Sequence, residues 1–183
     1  MRLYFKPGAC SLSSRIVLNE LGLTFDAERV DTEAGLTETG ADYRAVNPKG
    51  YVPALELDDG IILTENPAIL QFLADTHAEA GLAPACGTLE RARLHEWLNF
   101  TSSELHKAFS PYFRGHPLKG AEKEQVEERL VQCVGDVARG LADGRDFILG
   151  DGFTVADAYL FVVLNWSGFV GLDLARWPQS QPM

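Results

Sequence analysis

The chain predicts an α/β domain followed by an all-helical one, and three observations carry that expectation. Strand and helix signals alternate from Arg2 to Thr76, with glycine- and proline-containing turns between them. From Ala78 to Gly87 the composition shifts to Ala, Gly and Pro, as in a linker. Beyond it the apolar residues recur at helical spacing, with no convincing strand. The expected boundaries are 1–78 for the α/β domain and 87–183 for the helical one.

Arg2 to Phe5 reads as a strand, and Lys6-Pro7-Gly8-Ala9 as a turn. Ser11 to Leu21 follows as a helix, with Leu12, Ile16 and Val17 as its apolar positions and Gly22 at its end. Phe25 to Val30 is a second strand. Ala41 to Ala45 is a short helical piece, and Asn47-Pro48-Lys49-Gly50 is a turn. Ala54 to Leu57 and Ile61 to Thr64 form a hairpin across Asp58-Asp59-Gly60. Pro67 to Thr76 is a helix with Ile69, Leu70, Phe72 and Leu73 inward. The order βαβ then ββα is that of a thioredoxin-like domain. In the second part, Thr88 to Phe113 carries an apolar row at Leu94, Leu98, Thr101, Leu105, Ala108 and Tyr112. Ala121 to Leu141 is a charged helix. Thr154 with Asp157 resembles a capping box that opens the apolar helix Ala158 to Trp166, the expected centre of that domain.

The composition is 46% hydrophobic and 23% charged, enough to fill a core across 183 residues. A net charge of -10 makes nucleic acid and anionic membrane surfaces poor partners. No segment reads as a signal peptide or reaches transmembrane length. The odd, widely spaced cysteines Cys10, Cys86 and Cys133 form neither a disulfide framework nor a zinc pattern. No metal and a cytoplasmic location are expected.

The chemistry concentrates at three places. Cys10 stands where the first strand turns into the first helix, and a helix N-terminus favours thiolate over thiol. Val52-Pro53 leads into an apolar strand, where a cis peptide would set an open backbone N–H and C=O beside that thiol. Together they suggest a site for a small peptide thiol such as glutathione. The motif Cys10-Ser11-Leu12-Ser13 has serine where a dithiol oxidoreductase has its second cysteine, so a mixed disulfide could form but not resolve within the motif. A structural cysteine is the bland alternative.

At the second place Asn66 reads as an N-cap and Pro67 as the first helical residue. That helix end suits a carboxylate, and Glu65 suits an ammonium beside it. Ordinary capping would explain Asn66 equally well. At the third, Asn99, Ser103, His106 and Lys107 share one helical face opposite the apolar row. The face is either solvated or looks onto a thiolate, where His106 and Lys107 would stabilise charge and move protons. His77, His95 and His116 show no metal-ligand spacing.

Taken together, Cys10 after KPGA, NPKGYVPALELDDG, LTENPAI, LHEWLNF with SELHK, and TVADAYLFVVL resemble the bacterial beta-class glutathione transferases over nearly the whole chain. The resemblance implies the thioredoxin-like and helical domains, a homodimer, and detoxification by conjugating reduced glutathione to a small apolar electrophile. It implies Cys10 and His106 as catalytic residues. It implies a glutathione-binding set of Ser11, Val52, Pro53, Glu65, Asn66, Asn99, Ser103, Glu104 and Lys107. In that set Pro53 is the cis-proline, Val52 pairs its backbone with the tripeptide, Glu65 and Asn66 hold the γ-glutamyl end, and Asn99, Ser103 and Glu104 approach from the partner subunit. Glutathione is then a co-substrate.

The chain departs from the family at Asn66, where a smaller residue is common. It departs again at the loop Thr32 to Thr39, which has no Lys or Arg and carries Gly35 where members offer a base to the glycyl carboxylate. After Arg176-Trp177-Pro178 the helical domain is expected to lack the family's final helix. Two further functions fit the same residues: glutathione-dependent thiol-disulfide exchange through Cys10, and a non-catalytic interaction module on the same fold.

Overall fold

A computed structural model describes residues 1–150 and 152–177. The tail expected to lack a final helix lies outside the described residues. The chain divides into two compact units, Met1–Ala83 and Pro84–Met183.

The first unit is a five-stranded sheet in the order β3-β2-β1-β4-β5 with two helices. Its elements are β1 (Arg2–Phe5), α1 (Ser11–Glu20), β2 (Asp26–Asp31), β3 (Leu36–Thr37), β4 (Ala54–Glu56), β5 (Ile62–Thr64) and α2 (Asn66–Thr76). β1 pairs parallel with β2 and antiparallel with β4, so Leu3 lies opposite Leu55 and Tyr4 opposite Ala54. The period-two alternation of a strand divides the core. Tyr4, Val30, Tyr43 and Ala54 pack on one face with Val46, Val52 and Ile62. Leu3 and Leu55 fill the other with Val17, Leu18, Ile69, Leu70 and Leu73 of the two helices. The two-residue β3 was not anticipated; it extends the sheet through an antiparallel pair with Val30 and Asp31.

The expected inward face of α1 is corrected. Leu12 is exposed, and the buried positions are Ser11, Ser13, Ser14, Val17 and Leu18. Three serines sit in the interior because each hydroxyl finds a partner there, which removes the cost of burying it.

The second unit is helical. Its elements are α3 (Leu89–Phe100), a π-helical segment (Thr101–Leu105), α4 (His106–Phe109), α5 (Gly120–Gly140), α6 (Val155–Asn165) and the one-turn α7 (Ser167–Val170). The expected continuous helix from Thr88 to Phe113 is thus interrupted by a π turn and ends in a 3-10 turn, Ser110–Phe113. α5 buries Leu130, Cys133, Val134, Val137 and Ala138, the i, i+3, i+4, i+7, i+8 stripe of an amphipathic helix. α6 is buried nearly all round, as expected for the domain's centre. α5 ends hard against α3: a Cβ on Gly140 would lie 2.6 Å from Trp97 Cζ2 and 3.1 Å from Ile148 Cδ1.

The start of α6 is set by one carboxylate. Asp157 accepts from the Thr154 N–H at 2.9 Å, the Thr154 hydroxyl at 2.7 Å and, with its other oxygen, the Ile148 N–H at 2.7 Å. It therefore closes the capping box and also pins the preceding loop to the helix. Asp157→Ala should destabilise the protein by about 2 kcal/mol, the sum expected for a lost cap and a stranded backbone donor. Urea denaturation measures it; a loss below about 0.5 kcal/mol would show that solvent replaces these bonds freely.

Candidate functional site

In the first unit, the turn after β1 places Cys10 at the N-cap of α1. The Ser11 hydroxyl accepts from the Lys6 N–H at 3.2 Å and donates to the Lys6 carbonyl at 3.3 Å, which fixes this turn. Ser11 is buried, so its side chain serves the turn. The Cys10 thiol donates to the Val52 carbonyl at 3.6 Å, and the Val52–Pro53 peptide is cis as expected. The thiol and the Val-Pro segment, more than forty positions apart in the sequence, are therefore neighbours.

The Val-Pro segment is held from behind. Tyr51's carbonyl accepts from the Tyr43 hydroxyl at 2.8 Å and from Asn47 Nδ2 at 2.7 Å. Tyr43 and Asn47 are buried, and burial pushes the Tyr43 phenol up to about 12, so it stays a donor at any working pH. Neither residue was singled out from the sequence. The NPKG turn carried the signal, since an Asn opening a turn commonly bonds backbone two residues on, and Asn47 Oδ1 accepts from the Lys49 N–H here.

At α2 the assignment of Asn66 as N-cap is corrected. Glu65 holds the N-cap, Asn66 is the first helical residue and Pro67 the second. Asn66 turns inward: its Oδ1 accepts from the Ser14 hydroxyl at 2.8 Å, and its Nδ2 donates to Ser13 Oγ at 2.8 Å. The Ser13 hydroxyl also lies 2.7 Å from the Cys10 carbonyl. Asn66 is 4% exposed, so any contact it makes with a ligand comes from its backbone.

Glu65 has φ 69°, alone among the non-glycine residues described. Such a backbone costs of order 1–3 kcal/mol and is held only when its surroundings over-determine it. The β5 ladder before it and the helix after it do so, and its carboxylate projects outward. Lys49 Nζ, another residue not anticipated, donates to Glu65 Oε1 at 2.6 Å.

In the second unit one residue, His106, leaves the expected shared face. A π turn holds one residue more than an α turn, so positions after it are offset from where α spacing would put them. Asn99, Ser103 and Lys107 are exposed, whereas His106 is half-buried. His106 Nδ1 lies 2.8 Å from the Tyr159 hydroxyl, and its ring stands edge-to-face with Trp166 at 4.8 Å. Desolvation pushes His106 down to about 4, and the neighbouring Lys107 charge adds to the shift. At neutral pH it is therefore a neutral imidazole.

Glu104 forms an ion pair with Arg129 of α5, which the sequence did not single out. Ser103, Glu104 and Lys107 line a cleft of about 250 Å³ with Ala108, Pro111, Gln125, Val126 and Arg129. Cys133 is buried, and desolvation pushes its thiol up and away from reactivity. Cys86 is exposed. Among the described residues no group of three or more His, Cys, Asp or Glu could hold a metal ion, and no helix is long and apolar enough to cross a membrane.

A thioredoxin-like unit with a thiol facing a cis Val-Pro, followed by a helical unit, is the arrangement of the glutathione S-transferases, and the chain belongs to that family. Residues 8–76 match the glutathione S-transferase N-terminal domain and residues 120–181 its C-terminal domain. The chain is 45% identical to glutathione S-transferase GstA of Escherichia coli O157:H7, over 95% of this chain and 86% of that one. Among solved structures it is similar to the bacterial beta-class glutathione S-transferase of Sphingomonas chungbukensis, at 46% identity and a TM-score of 0.92, covering 98% of this chain and 89% of that one. It is also similar to a sphingomonad glutathione S-transferase solved in complex with glutathione, at 47% identity and a TM-score of 0.90, covering 98% and 88%.

Two outcomes follow from this geometry. Asn66→Ala strands the buried Ser14 hydroxyl and half of Ser13's bonding, and should cost about 2 kcal/mol in chemical denaturation. Adding Ser13→Ala and Ser14→Ala should not double that loss, because an interior without unpaired polar groups is cheaper than one with them. The second outcome concerns pH. His106 binds its proton less readily in the folded chain than its ordinary 6.5, so the neutral form's stabilisation is complete above about 6.5. It is lost as pH falls through about 4. Melting temperature should decline across that window, and His106→Phe should flatten the decline; an unchanged slope would place the acid sensitivity elsewhere.

Proposed function

We propose that the protein conjugates reduced glutathione to small apolar electrophiles. The observation that carries this reading is the Cys10 thiol resting on the Val52 carbonyl beside the cis Pro53. It places a polar, helix-terminal sulfur next to a backbone edge that can pair with an extended peptide. The relative that is 47% identical and solved with glutathione supports the same ligand.

The residues divide the work. The backbone of Val52 pairs with the cysteinyl part of the tripeptide. The γ-glutamyl carboxylate meets the N-terminus of α2, an eleven-residue helix with a favourable dipole. Its ammonium meets Glu65, displacing Lys49. The glutathione thiol gives its proton to solvent water, and the thiolate is stabilised at the start of α1 beside Cys10. Its sulfur attacks the electrophilic carbon, a C–S bond forms, and the leaving group departs with the bonding pair. His106, neutral at working pH, and Lys107 act as donors, with Asn99, Ser103 and Glu104 as binding residues of the helical unit. The active form is a homodimer working in cytoplasmic detoxification.

A second reaction has its own support, the single thiol of the motif. Cys10 thiolate can attack a glutathione disulfide, form the Cys10–glutathione bond and release one glutathione thiolate. Conjugation needs no redox change at Cys10, whereas exchange does.

Titration calorimetry with reduced glutathione tests the main reading. One site per chain is expected. Cys10→Ser should abolish exchange and leave conjugation of an activated aryl halide partly intact. Folded protein giving no heat at several temperatures would overturn the enzyme reading in favour of a non-catalytic interaction module.

A further inference from the structure

We propose that Tyr159 is a positioning residue for His106, its hydroxyl donating to Nδ1 and holding the imidazole in the tautomer that carries its proton on Nε2. The proposal gives His106 a defined role within the glutathione reading above, on which its catalytic part rests.

The geometry is that of a buried pair. Tyr159 lies on the central helix α6, is 2% exposed, and brings its hydroxyl to 2.8 Å from Nδ1. Trp166 closes on the imidazole at 4.8 Å, and is itself packed edge-to-face by Phe109 at 5.9 Å and Phe113 at 5.4 Å. The ring is thus fixed in direction by aromatic walls and in register by one hydrogen bond.

Chemistry decides which partner donates. A neutral imidazole offers one N–H and one lone-pair nitrogen. A phenol, titrating near 10, is a far stronger acid than a neutral imidazole N–H, and an imidazole nitrogen is a far better acceptor than a phenol oxygen. The phenol therefore donates and Nδ1 accepts, which leaves the ring proton on Nε2. Among the described residues Nε2 has no protein partner, yet no buried side-chain nitrogen or oxygen lacks one, so Nε2 opens to solvent. The result is a neutral N–H donor at an accessible edge. Its charge does not switch near neutral pH, which suits hydrogen bonding to an anionic sulfur or a departing anion.

Tyr159→Phe removes the hydroxyl and keeps the packing. Nitrogen-15 NMR of ligand-free wild-type protein at pH 7 should show His106 as the Nε2–H tautomer, and the variant should shift population toward Nδ1–H. In conjugation assays the variant should lose about tenfold in kcat, the loss expected for one misdirected hydrogen bond, while the KM for glutathione stays within about twofold. A wild-type spectrum showing Nδ1–H overturns the proposal even if the variant fails to fold. So does a variant with unchanged tautomer and unchanged kcat. Because the tautomer is read without ligand, it stands or falls independently of glutathione binding, whose failure in calorimetry would strike the broader reading alone.

Discussion

The hydrogen bonds that the Asn66 side chain makes with Ser13 and Ser14 tie the first turn of α1 to the first turn of α2. Both helix starts are thereby fixed relative to one another, and the site of the first unit consists of what those starts present: Cys10 on one, Glu65 and the backbone of the helix N-terminus on the other. The Ser13 hydroxyl also sits at the Cys10 carbonyl, so the network reaches the residue that carries the thiol. A buried polar cluster of this kind costs stability if any member is unpaired, and specifies one arrangement if all are paired. Here every member has a partner.

Much of the fold was legible in the sequence because its periods were clean. The Asp58-Asp59-Gly60 turn between apolar runs marked the β4–β5 hairpin, and the Thr154–Asp157 pair marked the start of α6. The core row Leu94, Leu98, Thr101, Leu105, Ala108 was also readable, since its residues are buried as the spacing requires, while Tyr112 at its end is only partly buried. What could not be read depends on contacts between distant segments. Burial of Ser13 and Ser14 is visible only once Asn66 faces them, and nothing local distinguishes an inward serine from a solvated one. The π turn has no compositional mark, and of the face assigned to Asn99, Ser103, His106 and Lys107 only His106 is drawn inward, by contacts with Tyr159 and Trp166 that no local spacing shows.

The two units use their polar residues in different ways. In the first, buried hydroxyl, amide and phenol groups brace the backbone, as Tyr43 and Asn47 do at the Tyr51 carbonyl. Glu28 is buried among donors from Thr39 and Arg2, while Lys49 and Glu65 pair in the open. In the second, aromatic neighbours enclose His106, and burial suppresses its charge. Identity to relatives reports the family; these local environments determine what each side chain can do chemically.

The π segment Thr101–Leu105 also bears on how this helix tolerates changes in length. A π turn is an α-helix carrying one surplus residue, so a chain shorter by one position here could close an ordinary α ladder without losing the helix. The stretch from His106 onward would then keep its direction about the axis relative to Leu89–Phe100, because the turn closes a full rotation with or without the surplus residue. A single-residue gap in this stretch of a related sequence would therefore mark a helix with the same ends and the same outward face, lacking only the widened turn.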